Sequence, residues 1–174
     1  MNLVQTMSSE PLETIAGKLL SERGLTLAVA ESCTGGLLSN LLTDVSGSSA
    51  YFLGGVVAYS NRAKEEILGV SHETLLEHGA VSEETALKMA RGARKLFGSD
   101  LALSITGIAG PTGGTPQKPV GLVYTALSSA EGEFCHRHLW AGDRLENKLL
   151  SARAALQMLI DYLKNRTQIN ADKL

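Results

Sequence analysis

The residues in this sequence best suited to chemistry are a serine and a lysine. Ser32 stands where the short apolar run Thr26–Ala30 gives way to Glu31-Ser32-Cys33-Thr34-Gly35-Gly36, so its hydroxyl is expected where a buried strand turns into a helix. Such a turn can present a nucleophile beside backbone N–H groups that hold an oxyanion. Gly35 and Gly36 would let a ligand approach the backbone. Ser32 and Thr34 are also ordinary helix-capping types. Lys64 breaks a local rule. With Asn61 as N-cap it occupies the third helical position, where a capping box prefers Glu and the helix dipole disfavours a cation. Burial and the dipole would both favour its neutral form, which can deprotonate a serine. The competing reading is a solvated lysine beside Glu65 and Glu66.

Other groups could join this pair. Tyr59, expected at the end of a strand, could orient the lysine or relay a proton, or simply fill the core. Ser48, in Gly47-Ser48-Ser49, is a second hydroxyl, although serine is also a common turn residue. The stretch from Ser104 through Thr106, Gly107 and Gly110 to Gly114 joins a strand end to a loop rich in backbone donors, suited to an anion. It carries no Gly-Lys-Ser/Thr, so it is not a nucleotide-triphosphate loop, and no dinucleotide-binding glycine fingerprint follows a strand. Lys118 and Arg144 are the cations expected nearest a substrate phosphate or carboxylate, Arg144 being equally able to form a surface ion pair. Cys33 is a rival nucleophile, since a helix N-terminus lowers a thiol pKa. His136 and His138 share a strand face, but no acidic residue is spaced to complete a metal site.

The elements that must position these residues follow from periodicity. Leu12, Ile15, Ala16, Leu19 and Leu20 predict a helix stopped by Gly24. Thr26–Ala30 reads as a buried strand, followed by a helix ending near Asp44. Gly54–Tyr59 reads as a second strand, and Asn61 starts a helix through Leu68. Ser71 and Ser82 read as N-caps, the second leading a helix that buries Ala86, Ala90, Ala93 and Phe97. Leu101–Ile105 is a strand, and Val120–Leu127 and Phe134–Trp140 a hairpin. Leu145 to Leu163 marks a long helix, with a frayed tail from Asn165. Helices alternating with strands, closed by a hairpin, predict a three-layer α/β/α fold with a mixed sheet. One domain is expected over 10–164, with tails 1–9 and 165–174.

The 174 residues are 44% hydrophobic and 20% charged, which excludes disordered and low-complexity classes. Glycine is in surplus, 18 against an average expectation of about 12. A net charge of −2 without a basic cluster argues against nucleic-acid binding. No signal peptide or membrane span is visible, and two cysteines without C-x-x-C spacing fit a reducing compartment, so a cytoplasmic location is expected. Exposed edges of a small sheet make a homo-oligomer reasonable.

Taken in order, Ala30-Glu31-Ser32-Cys33-Thr34-Gly35-Gly36, Gly47-Ser48-Ser49, Tyr59-Ser60-Asn61-x-x-Lys64, His78-Gly79-Ala80-Val81-Ser82 and Ser104–Pro111 resemble the C-terminal domain of the CinA family, including its stand-alone nicotinamide-nucleotide amidases. The resemblance covers nearly all of Glu10 to Leu163. It implies hydrolysis of the carboxamide of nicotinamide mononucleotide to nicotinic acid mononucleotide and ammonia, with no cofactor and no metal. Carried over residue by residue, it makes Ser32, Lys64 and Tyr59 catalytic and Thr106–Gly110 substrate-contacting. Thr34, Gly35, Gly36, Ser48 and Arg144 then serve the substrate or the oxyanion, and whether Ser32 or Ser48 attacks stays open. Larger members carry a further N-terminal domain that this sequence does not contain, so none of that domain's activity is implied. A nucleotide-binding module without turnover, or an amidase for another small amide, are the alternatives.

Overall fold

The computed structural model of the chain describes residues 10–171. Five strands, β1 (Leu27–Glu31), β2 (Phe52–Val57), β3 (Leu101–Gly107), β4 (Leu122–Ser128) and β5 (Glu133–Leu139), form one sheet in the order β2-β1-β3-β4-β5. The first three run parallel, and β4 and β5 add an antiparallel hairpin. The helices are α1 (Leu12–Arg23), α2 (Leu37–Thr43), α3 (Asn61–Glu66), α4 (His72–His78), α5 (Glu83–Phe97) and α6 (Arg144–Ala171). This is the mixed α/β architecture that the sequence predicts.

Side-chain alternation along the strands assigns the layers. Leu27, Val29, Leu101, Leu103, Ile105, Val123 and Leu127 share a core with residues of α1, α2 and α6. Their neighbours Ala28, Ala30, Ala102 and Ala126 face the other way, onto α5. Each buried leucine on the first face contributes about 2 kcal/mol. The alanines of the second face let α5 lie close to the sheet, and the Ser104 hydroxyl donates to Ala86 O of α5 at 2.6 Å.

Several boundaries differ from the sequence reading. β2 begins at Phe52 and ends at Val57, so Tyr59 lies beyond the strand rather than at its end. The N-cap of α3 is Ser60, whose hydroxyl accepts from Ala63 N; Asn61 is the first helical residue and Lys64 the fourth. Two adjacent capping types compete there, and the one whose oxygen meets the third N–H wins. Ser71 and Ser82 do cap α4 and α5. The segment from Asn165, expected to fray, continues α6 to Ala171, and the expected tail 1–9 lies outside the described residues.

Candidate active site

Glu31, Val57 and Ile105 stand side by side in the parallel register, so the segments that leave β1, β2 and β3 all emerge at one end of the sheet. Ser32 leaves β1 with its N–H donating to Ile105 O at 2.9 Å. From α3, the next element after β2, Lys64 reaches back under the sheet edge. Its Nζ lies 3.1 Å from Ser32 Oγ and 2.9 Å from Ala58 O, and the side chain is only 1% exposed. Burial lowers its pKa from the ordinary 10.5; an ionised Cys33 would oppose this. Burial in turn pushes the Cys33 thiol up to about 11, so at neutral pH that opposition is switched off. The same shift answers the rival nucleophile: Cys33 is kept in its unreactive thiol form, not activated.

Sequence reasoning missed Glu31. Its carboxylate is fully buried and meets no cation within ion-pair distance among the described residues. Oε2 accepts from Thr34 Oγ1 at 2.7 Å, Gly36 N at 3.2 Å and Leu38 N at 3.0 Å, and Oε1 from Ser39 N and Ser39 Oγ, both at 2.8 Å. The Glu31 side chain, not that of Ser32 or Thr34, therefore satisfies the N–H groups of Gly36, Leu38 and Ser39 at the start of α2, while Leu37 N donates to the Thr34 carbonyl. The available signal was an acid at the last position of an apolar strand, followed by small residues. Gly35 and Gly36, at φ +65° and +101°, supply the left-handed backbone that folds this turn around the carboxylate.

The oxyanion donors change as a result. Gly35 N–H donates to Ser32 O at 3.1 Å, and Gly36 N–H is held by Glu31, so neither is open to a ligand. The N–H of Thr34 meets no oxygen among the described residues, and that of Cys33 faces only its own sulfur, so these two donors stand beside the Ser32 hydroxyl. Gly107, the other expected donor region, is paired with Val123 in the sheet. A Cβ there would stand 2.5 Å from Val123 Cγ2, so glycine serves the close passage of β4. Thr106 is buried, and its hydroxyl donates to Ala80 O at 2.6 Å, fixing the loop before α5.

The rim is built by α6 and the loop after β3. Arg144 donates from its two terminal nitrogens to Gly110 O at 2.7 Å and to Tyr59 Oη at 3.1 Å. Tyr59 is 62% exposed, and its hydroxyl is bonded to Arg144 rather than to Lys64 or Ser32. Buried Asn147 joins the two segments, donating to Ala109 O at 3.0 Å and accepting from Gly142 N at 3.1 Å. Beside them lies a cleft of about 430 Å³ bordered by Ala109, Pro111, Val120, Arg144 and Leu145. A second cleft of the same volume lies between Phe134, His136, Met158 and Tyr162; Ser32 and Lys64 line neither of the two, and the first is set beside the site only through Arg144. Lys118, expected near the substrate, instead donates to His78 O at 2.5 Å. His138 stacks on Trp140 with ring centroids 4.8 Å apart and bonds Thr125 Oγ1 at 2.9 Å.

Ser48 is not part of this site. It opens a single 3₁₀ turn, Ser48–Ala50, just before β2, and Tyr51 O accepts from Leu27 N at the first residue of β1. That is the amino end of the parallel strands, about 13 Å of strand away from Glu31. Of the two serines, Ser32 is the one at this end of the sheet.

Fold and site together define an α/β protein with a buried serine–lysine pair where parallel strands end, the sheet being mixed and covered on both faces. Residues 9–163 match the CinA C-terminal domain. A CinA-like protein of Syntrophus aciditrophicus is 56% identical over 155 residues, 88% of this chain and 37% of its own length. One from Thermotoga maritima is 50% identical over 163 residues, 94% of this chain and 40% of its own length. The chain thus spans well under half of these curated relatives. Among solved structures, the competence/damage inducible protein CihA from Agrobacterium tumefaciens superposes with a TM-score of 0.83 at 44% identity, covering 91% of this chain and 99% of that one. The competence damage-inducible protein A of Klebsiella pneumoniae gives 0.85 at 37% identity, covering 88% and 95%. The chain belongs to the CinA C-terminal domain family. No helix among the described residues is long and apolar enough to cross a membrane.

Proposed function

We propose that the chain is an amidohydrolase that converts nicotinamide mononucleotide to nicotinic acid mononucleotide and ammonia through a Ser32–Lys64 mechanism. The observation that carries the reading is the 3.1 Å contact of Lys64 Nζ with Ser32 Oγ inside a buried setting that favours the neutral amine. A cation kept from water without a carboxylate partner is costly, and a general base is what that cost produces.

Neutral Lys64 takes the Ser32 proton as Oγ bonds to the amide carbon. The oxyanion meets the N–H groups of Cys33 and Thr34. When the C–N bond breaks, Lys64 returns its proton to the nitrogen and ammonia leaves. Water then attacks the ester carbon, Lys64 accepts the water proton, and the C–Oγ bond breaks as Oγ is reprotonated. Tyr59 and Arg144 act on the substrate at the rim rather than on Lys64. A nucleotide substrate fits the cytoplasmic location expected from the sequence. Exposed Leu53 and Val57 on edge strand β2 fit a homo-oligomer, which sedimentation tests.

The test is ammonia release from nicotinamide mononucleotide by the purified chain. Ser32→Ala and Lys64→Ala are each expected to lower kcat at least about 10³-fold, while Cys33→Ser stays within about three-fold, as expected for a thiol outside the reaction. Undiminished release by both of the first two variants overturns the mechanism. Thermal stabilisation by the nucleotide without any ammonia would instead mark a binding module.

A further inference from the structure

Lys148 lies one helical turn beyond Arg144 on α6, and its Nζ hangs over the catalytic turn, 3.8 Å from where a Cβ on Gly35 would stand. It forms neither an ion pair nor a hydrogen bond among the described residues. Arg144 is fixed by Gly110 O and Tyr59 Oη, which use two of the five N–H donors of a guanidinium. The acids nearest in sequence are occupied locally: Asp143 Oδ1, just ahead of α6, accepts from Glu146 N, and Glu146 Oε2 from Asp143 N, each at 2.9 Å. Glu31, beneath Gly36, is saturated by five donors. The rim therefore presents two cations with donors to spare, on the same end of the sheet as the nucleophile.

We propose that Lys148 and Arg144 form the phosphomonoester subsite of the active site, with Lys148 the residue that selects a nucleotide over its nucleoside. The proposal rests on the amidase reading above. An anion held against α6 by these two cations lies over the turn that carries Gly35 and Ser32. Lys148 acts as a mobile point charge on the phosphate, and Arg144, already oriented, supplies directional N–H donors. A nucleoside lacks the dianion and gains nothing from either.

The experiment compares nicotinamide mononucleotide with nicotinamide riboside, for the wild type, Lys148→Gln and Lys148→Glu. The ratio of kcat/KM for the mononucleotide over the riboside is expected to fall about ten-fold in Lys148→Gln, through KM, and further in Lys148→Glu. Equal losses on both substrates, or an unchanged ratio, overturn the subsite. If the wild type releases ammonia from neither, the amidase reading fails and binding decides the subsite. The mononucleotide but not the riboside must then raise the Tm of the wild type, and Lys148→Glu must lose that shift; retention of the shift overturns the proposal.

Discussion

At the carboxyl end of the sheet Glu31 and Lys64 are both buried, and neutral groups satisfy each: N–H and hydroxyl donors for the carboxylate, a hydroxyl and a carbonyl for the amine. At the amino end Asp100, in the turn before β3, is exposed and ties down the chain ahead of β1, accepting from Thr26 N and Thr26 Oγ1 at 2.8 Å. Both ends use a carboxylate to organise a turn, yet only one takes ionisable groups out of water. The difference teaches where to look for chemistry. A carboxylate that closes an exposed turn costs little to keep charged, whereas a lysine buried without a carboxylate has its proton affinity altered.

The sharpest test of that contrast is pH. Lys64 must be neutral to act, and its pKa lies below 10.5. kcat/KM is expected to fall about ten-fold per unit below that lowered value and to level off before pH 10.5 is reached, which a pH–rate profile reads directly. The sign for stability is the same. The unfolded chain holds this proton up to about 10.5 while the native one releases it earlier, so unfolding free energy rises with pH across that window. Denaturant melts at several pH values should show a rising Lys64 contribution that Lys64→Met lacks.

Glu31→Gln comes next in size. An amide would turn N–H donors towards N–H donors, and a loss of about 3 kcal/mol is expected in urea unfolding, with kcat down roughly 100-fold as the Ser32 turn loosens. At the amino end, Asp100→Ala should cost about 1 kcal/mol in the same melts and leave ammonia release unaltered. A matching loss of activity there would erase the distinction between the two ends. Smallest of all, Ser48→Ala should change stability by less than about 0.5 kcal/mol and kcat by nothing measurable.

Much of this was legible in the sequence for identifiable reasons. Alternating large and small apolar residues in Leu101–Ile105, and serines placed just before helical stripes, are local signals, and β3 and the caps of α4 and α5 follow them. Ser32 was legible because it stands where a buried strand gives way to a glycine turn, whereas the cap register that singled out Lys64 is shifted by one residue by Ser60. Ser48 misled because a serine-rich turn looks alike at either end of a sheet. Its position was inferable all the same: a turn leading directly into a strand parallel to β1 must lie at the amino end. The role of Glu31 depends on α2 folding back over its carboxylate, and that of Lys148 on how α6 is docked. Both are tertiary facts that spacing along the chain does not carry.

The alanine face of the sheet has an evolutionary consequence. Opposite it, leucines can trade volume with neighbours as homologues drift, one shrinking as another grows. Between Ala28, Ala30, Ala102 and Ala126 and helix α5 there is less to trade, since these alanines meet Ala86, Ala90 and Ala93, with Met89 the one large buried side chain that α5 adds. Substitutions should accumulate unevenly across the two layers, freely under α1 and α6 and sparsely under α5. The loop that Thr106 holds through Ala80 O leads into α5 and shares that constraint.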